Sequence, residues 1–236
     1  MGCTSSYELP AQPVRRSTTP TTSVAKAPRS PATQVSEGFM LFALPSPVAA
    51  ISTKYCHDTP ITLHLREKAW SLSGDDFSLK DANTGKPVFR IDGSVFSMSD
   101  RKTLFDASGA RIVHVCDEMF SFTPQFNVYG SGSKALFSIR AKFSWFESVF
   151  NCNFTNVADN NRCRLSLQGD WRGRRAVIYL NQGNGQTLPI ARIYRPVGTG
   201  RNLLLGKQDY YVDIAPNVDT ALMTLVCLAL DEAKND

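Results

Sequence analysis

The run Ala221-Leu222-Met223-Thr224-Leu225-Val226-Cys227-Leu228-Ala229-Leu230 decides the fold. Asn217 or Asp219 caps a helix starting near Val218, and residues 220–233 are good helix formers. A surface helix keeps a polar stripe, whereas one apolar on every face has to be surrounded. Ten residues at about 1.5 Å each span roughly 15 Å, too short for a bilayer but a length that a β-barrel encloses. The predicted helix core is Leu222, Leu225, Val226, Leu228 and Ala229. The competing arrangement is an ordinary helix packed on one side of a β-sandwich.

Working outward, the preceding chain supplies the strands. Ile61-Thr62-Leu63-His64-Leu65 alternates with period 2, as do Phe77-Ser78-Leu79 and Val113-His114-Val115. Further candidates are 88–92, 94–98, 103–106, 119–123, 126–130, 135–140, 147–154, 163–168, 175–180, 190–195 and 209–214. Turn signals such as Asn83-Thr84-Gly85, Ser108-Gly109 and Asn184-Gly185 separate them. An internal echo links Leu79–Phe89 with Leu104–Val113: each is strand, Asp-Ala, glycine turn, strand, and each predicts a hairpin. The expected architecture is all-β with one helix, a barrel wrapped around it.

Residues 1–36 differ in texture. Twelve are Ser or Thr, five are Pro and Tyr7 is the single aromatic, so they predict a disordered tail before a domain at 37–236. Residues 1–54 carry five basic and two acidic side chains. The remainder of this 236-residue chain of net charge +5 is therefore close to neutral, with 21 basic and 19 acidic groups. A near-neutral domain argues against nucleic-acid binding, which needs a concentrated basic face. The six cysteines form no CxxC pair and no His/Cys spacing suited to zinc, which predicts a reduced cytosolic protein with no metal and no cofactor. No apolar leader of the secretory kind opens the sequence.

Phe77–Gly85 followed by Phe89-Arg90-Ile91-Asp92 resembles the opening of LURP-one-related proteins, which belong to the tubby C-terminal-like superfamily. So do the hairpin Thr103–Gly109, the stretch Leu167-Gln168-Gly169-Asp170-Trp171, and Asp209–Asp219 running into the apolar helix. The resemblance covers about residues 40–234. It implies a barrel of about twelve strands around the helix, shared with tubby proteins and phospholipid scramblases. Tubby relatives bind phosphoinositides and scramblase relatives associate with membranes, but no stretch here matches their functional motifs residue by residue.

Two sites are expected from the residues themselves. Met1-Gly2-Cys3-Thr4-Ser5-Ser6 fits the myristoylation pattern at Gly2, and Cys3 stands where palmitate commonly accompanies it. One myristoyl chain binds membranes only marginally, with an association constant of about 10⁴ M⁻¹, so stable anchoring takes both. The second is the cluster Arg162, Arg164, Arg172, Arg174 and Arg175, with Asp170 the one acid in residues 160–175. Guanidinium forks bind phosphate oxygens in pairs, which suits an anionic headgroup such as a phosphoinositide. The competing reading is a solvated edge that blocks strand addition. His57, His64 and His114 belong to no catalytic motif, and no nucleophile elbow, phosphate loop or HExxH is present. The function expected is a non-enzymatic, monomeric, membrane-associated lipoprotein, anchored at the cytosolic face of the plasma membrane, that binds anionic phospholipid or a protein partner. The alternative is a soluble adaptor controlled by phosphorylation of its tail, for which Thr19-Pro20 and Ser30-Pro31 are candidate positions.

Overall fold

The computed structural model describes residues 33–35, 39–66, 77–92, 101–118, 124–143, 148–195 and 209–233. The candidate strands 94–98 and 119–123, and nearly all of the expected tail, lie outside these residues. Two short strands, β1 (Thr33–Val35) and β2 (Phe39–Leu41), pair with each other, so the last residues of that tail segment take part in a hairpin.

Twelve antiparallel strands then close into a barrel. They are β3 (Ile61–Arg66), β4 (Phe77–Asp81), β5 (Pro87–Asp92), β6 (Arg101–Asp106), β7 (Arg111–Asp117) and β8 (Gln125–Tyr129), followed by β9 (Ala135–Phe143), β10 (Ser148–Thr155), β11 (Arg162–Asp170), β12 (Arg175–Asn181), β13 (Thr187–Tyr194) and β14 (Asp209–Ile214). Each pairs with its neighbours in the chain, and β14 closes the ring on β3, matching Val212 to Leu63 and Tyr210 to Leu65. Closure leaves the barrel no free strand edge. The period-2 pattern sets which side chains enter: Leu63, Leu65, Val113, Val115, Leu165 and Ile178 are buried, while their neighbours face out.

The helix α1 (Thr220–Glu232) fills the interior, and every residue from Thr220 to Asp231 is buried. Leu222, Leu225, Val226, Leu228 and Ala229 are no more than 2% exposed, so the barrel arrangement holds and the sandwich does not. Asp219 caps α1, its Oδ1 accepting from the backbone of Ala221 (3.0 Å) and Leu222 (3.1 Å).

Residues 44–57 cross the rim where α1 enters, called the upper rim here. Val48 and Val218 form a parallel bridge, the Val48 amide donates to the Asn217 carbonyl (2.8 Å), and the Thr220 hydroxyl donates to the Tyr55 carbonyl (2.9 Å). Buried Asn156 clips this segment to the β10–β11 turn: its Oδ1 accepts from Ala49 (2.9 Å) and its Nδ2 donates to the Pro47 carbonyl (3.3 Å). Five free cysteines lie among the described residues. Burial pushes the Cys152 thiol up to about 12 and Cys163 to about 11, which makes them inert apolar fillers.

Candidate anion-binding site on the barrel wall

The five arginines of segment 160–175 do not gather at one place. Arg162 and Arg164 begin β11 at the upper rim; Arg172, Arg174 and Arg175 surround the turn at its other end, where Asp170 pairs with Arg175. Eight residues of strand separate the two groups by roughly 25 Å. The single cluster expected from the sequence is therefore corrected to two separate groups: adjacency in sequence along an extended strand is distance in space.

Arg174 is also removed from any surface site, because its side chain is fully buried. Its Nη2 donates to Asp231 Oδ1 on α1 at 2.6 Å, and the Tyr210 hydroxyl donates to Oδ2 of the same carboxylate at 2.7 Å. The guanidinium carbon lies 4.0 Å from the Trp171 ring centre and 4.5 Å from that of Tyr210. Trp171 Nε1 donates to the Leu230 carbonyl at 3.0 Å. Burial, then the Asp231 charge, raises the Tyr210 phenol well above its ordinary value, so it stays a donor. Trp171, Arg174 and Tyr210 thus build a latch on the C-terminal end of α1. The readable sign was Asp231, an acid directly after an apolar run, which needs a buried partner. Arg172 and Arg175 remain exposed at that rim.

Arg162 and Arg164 are exposed and outward, since the intervening Cys163 and Leu165 point inward and are buried. Cross-strand partners set their surroundings: Arg162 lies opposite Thr155, and Arg164 between Asn153 and Asn181. Together they line a recess of about 640 Å³, the arginine shelf, rimmed by Leu136, which is 46% exposed. The Asn181 carbonyl oxygen is taken by the Gly183 amide (2.7 Å), which turns its NH₂ into the available group, and Asn153 Nδ2 donates to Asn151 (2.8 Å). Two guanidinium groups, a hydroxyl and an amide donor therefore face one recess, and no carboxylate of the described residues lines it. That donor set accepts a phosphate or a similar oxyanion.

His64 stacks on Tyr211 and His114 on Tyr129, each pair with ring centres 5.1 Å apart on the outer wall. Among the described residues no group of three or more His, Cys, Asp or Glu side chains is placed to hold a metal ion. Gly2 and Cys3 lie outside the described residues. The chain reaches the barrel at the upper rim, where the Phe42 amide donates to the Pro189 carbonyl and the Leu44 amide to that of Pro216, both at 3.3 Å.

The sequence is similar to that of Protein LURP-one-related 15 from Arabidopsis thaliana, 26% identical over 200 residues, covering 81% of this chain and 90% of that protein. It is also similar to Protein LURP1 from the same plant (24%, 79% of this chain and 90% of the relative) and to the uncharacterized protein YxjI of Bacillus subtilis (strain 168) (22%, 72% and 92%). An X-ray structure of an Arabidopsis thaliana protein shares the fold with a TM-score of 0.55 at 21% identity, covering 79% of this chain and 98% of that one. The LURP-one-related family model matches residues 61–231, from the first barrel strand to the acid that closes the latch, and the chain belongs to the LURP-one-related family.

Proposed function

We propose that this chain is a non-enzymatic, lipid-anchored protein whose barrel wall binds an anionic phospholipid headgroup, a phosphoinositide in the first instance, at the cytosolic face of the plasma membrane. The anchor is myristate on Gly2 and palmitate on Cys3. The observation that carries the headgroup assignment is the pair Arg162 and Arg164, outward over a recess that no carboxylate of the described residues lines, at the rim where the chain from the anchor arrives. The filled interior supports an external site, because α1 occupies the space that a ligand takes in open barrels. The exposed Leu136 beside the arginines suits a surface that meets both headgroups and acyl chains.

The test uses the full-length chain made without acylation, so that the anchor cannot mask the barrel. Co-sedimentation with phosphatidylcholine vesicles, with and without phosphatidylinositol bisphosphate, is measured at physiological salt. A measurable fraction of the wild type is expected to sediment with the charged vesicles, and Arg162→Glu with Arg164→Glu to abolish this at an unchanged melting temperature, since exposed charges contribute little stability. Arg175→Glu at the far rim is expected to keep binding. Equal sedimentation of wild type and double variant overturns the headgroup site and leaves a protein partner as the remaining occupant.

A further inference from the structure

A second recess lies on the upper rim, away from the arginine shelf, and neither the anchor nor that shelf explains it. It holds about 560 Å³ between the β4–β5 turn, the β6–β7 turn and the loop that precedes β3. These two turns are the two copies of the internal echo. In the first, Asp81 Oδ1 accepts from the Asn83 amide (2.9 Å) and Oδ2 from the Thr84 hydroxyl (2.8 Å). In the second, Asp106 Oδ1 accepts from the amides of Ser108 and Ala110 (3.0 Å each), and Oδ2 takes Lys54 Nζ at 2.8 Å. Both carboxylates thus accept from their own turns: Lys54 meets the charge of Asp106, and the Asp81 charge is held at its turn by the Asn83 amide and the Thr84 hydroxyl.

What remains for a ligand is an apolar floor, the imidazole of His57 and the ammonium of Lys86. Tyr55 and Phe89 meet edge to face with ring centres 5.8 Å apart, and Ile61 and Val88 are half-buried beside them. Lys86 lines the same recess, and no carboxylate among the described residues lies within ion-pair distance of it. Pockets of about 300–1,000 Å³ with an apolar lining and a few converging polar groups are the usual form of small-molecule sites.

We infer that this recess binds a small molecule with a flat, apolar body and a single carboxylate, the body lying on Tyr55 and Val88 and the carboxylate on Lys86. This site stands apart from the headgroup shelf and holds or fails independently of it. The probe is naphthalene-2-carboxylate, with 2-naphthylmethanol as its neutral counterpart, titrated into the unacylated full-length chain and followed by saturation-transfer NMR and calorimetry. The carboxylate is expected to bind saturably, at least tenfold more tightly than the alcohol. Lys86→Gln, a change in an exposed turn that leaves folding intact, is expected to remove that tenfold advantage. Val88→Trp, which fills the floor, is expected to abolish binding of both compounds. Arg162→Glu with Arg164→Glu is expected to leave the titration unchanged. Absence of saturable binding, equal affinity for the acid and the alcohol, or binding indifferent to Lys86→Gln overturns the inference.

Discussion

Arg174 occupies a backbone conformation, φ +55°, that L residues rarely adopt, and it does so with its charge fully buried. The turn that holds it depends on Gly169, at φ +105°, where an added Cβ would lie 2.4 Å from the Arg175 carbonyl oxygen. Gly169→Ala is therefore expected to lower the melting temperature and shift the urea midpoint. Arg174→Ala leaves Asp231 buried without its charge partner and should cost about 3–5 kcal/mol by urea denaturation. Replacing the trio together, as Arg174→Met, Asp231→Leu and Tyr210→Phe, should recover much of that loss, because neither charge of the pair is then left buried without the other. The need for a buried partner was legible in Asp231, but nothing in the sequence named Arg174 as that partner, since a count of charges carries no sign of burial. At the other end of α1, burial pushes the Asp219 carboxyl up to about 6, against about 3.9 for an unfolded chain. The folded state binds this proton more tightly, so Asp219 contributes most below about pH 4 and the contribution is lost as pH rises through 6. Asp213, also raised by burial, acts in the same direction. Asp106 acts oppositely: bonds from Lys54 and Ser108 hold its carboxyl below the usual range, so its contribution is present above the unfolded value and lost on acidification. Stability followed by urea denaturation from pH 4 to 7 should fall with rising pH, and Asp219→Asn should flatten part of that slope.

At the scale of elements, α1 was legible because its sequence allows one environment only. A ten-residue run with no polar face has no stable place at a surface. Leu225, 1% exposed, faces barrel side chains, so Leu225→Asp places a carboxylate where neither water nor a cation reaches it. Its expected outcome is loss of the cooperative thermal transition, read by circular dichroism. Deleting residues 217–236 should give an insoluble product, since the inward faces of twelve strands would lose their filling. A soluble truncation that melts cooperatively would contradict this packing. The hairpins of the echo were legible for a similar local reason: Asp81 and Asp106 each close the turn that follows them, and Gly85 and Gly109 supply positive φ at the corner. The arginine cluster misled because a strand pattern fixes the face a side chain takes but the separation along the strand must be added. Arg162 and Arg164 share a face with Arg175 and still stand at opposite rims.

At the scale of the molecule, ring closure had no local signature. Strands β14 and β3 come from opposite ends of the domain, and nothing in either sequence names the other; they meet because a twelve-strand meander around a helix has both edges left to satisfy. Closure has a functional consequence for the proposed anchor. Residues 44–57 cross the upper rim and bond to α1, so the chain from the N-terminus joins the barrel on the same side as Arg162 and Arg164. Under the proposal, tail and shelf face one membrane and their affinities multiply through effective concentration. Gly2→Ala in cells should remove myristate and shift the protein to the soluble fraction, because the shelf alone supplies only a weak, salt-sensitive contact. Cys3→Ser should keep myristate, confirmed by intact mass, yet leave the protein divided between fractions, because a single chain binds marginally. Adding Arg162→Glu and Arg164→Glu to Cys3→Ser should then move the remainder into the soluble fraction, whereas the same pair in the doubly acylated chain should change little. Membrane retention of the Gly2→Ala protein equal to wild type would remove the anchor from the account, and indifference of the Cys3→Ser protein to the arginine pair would remove the shelf.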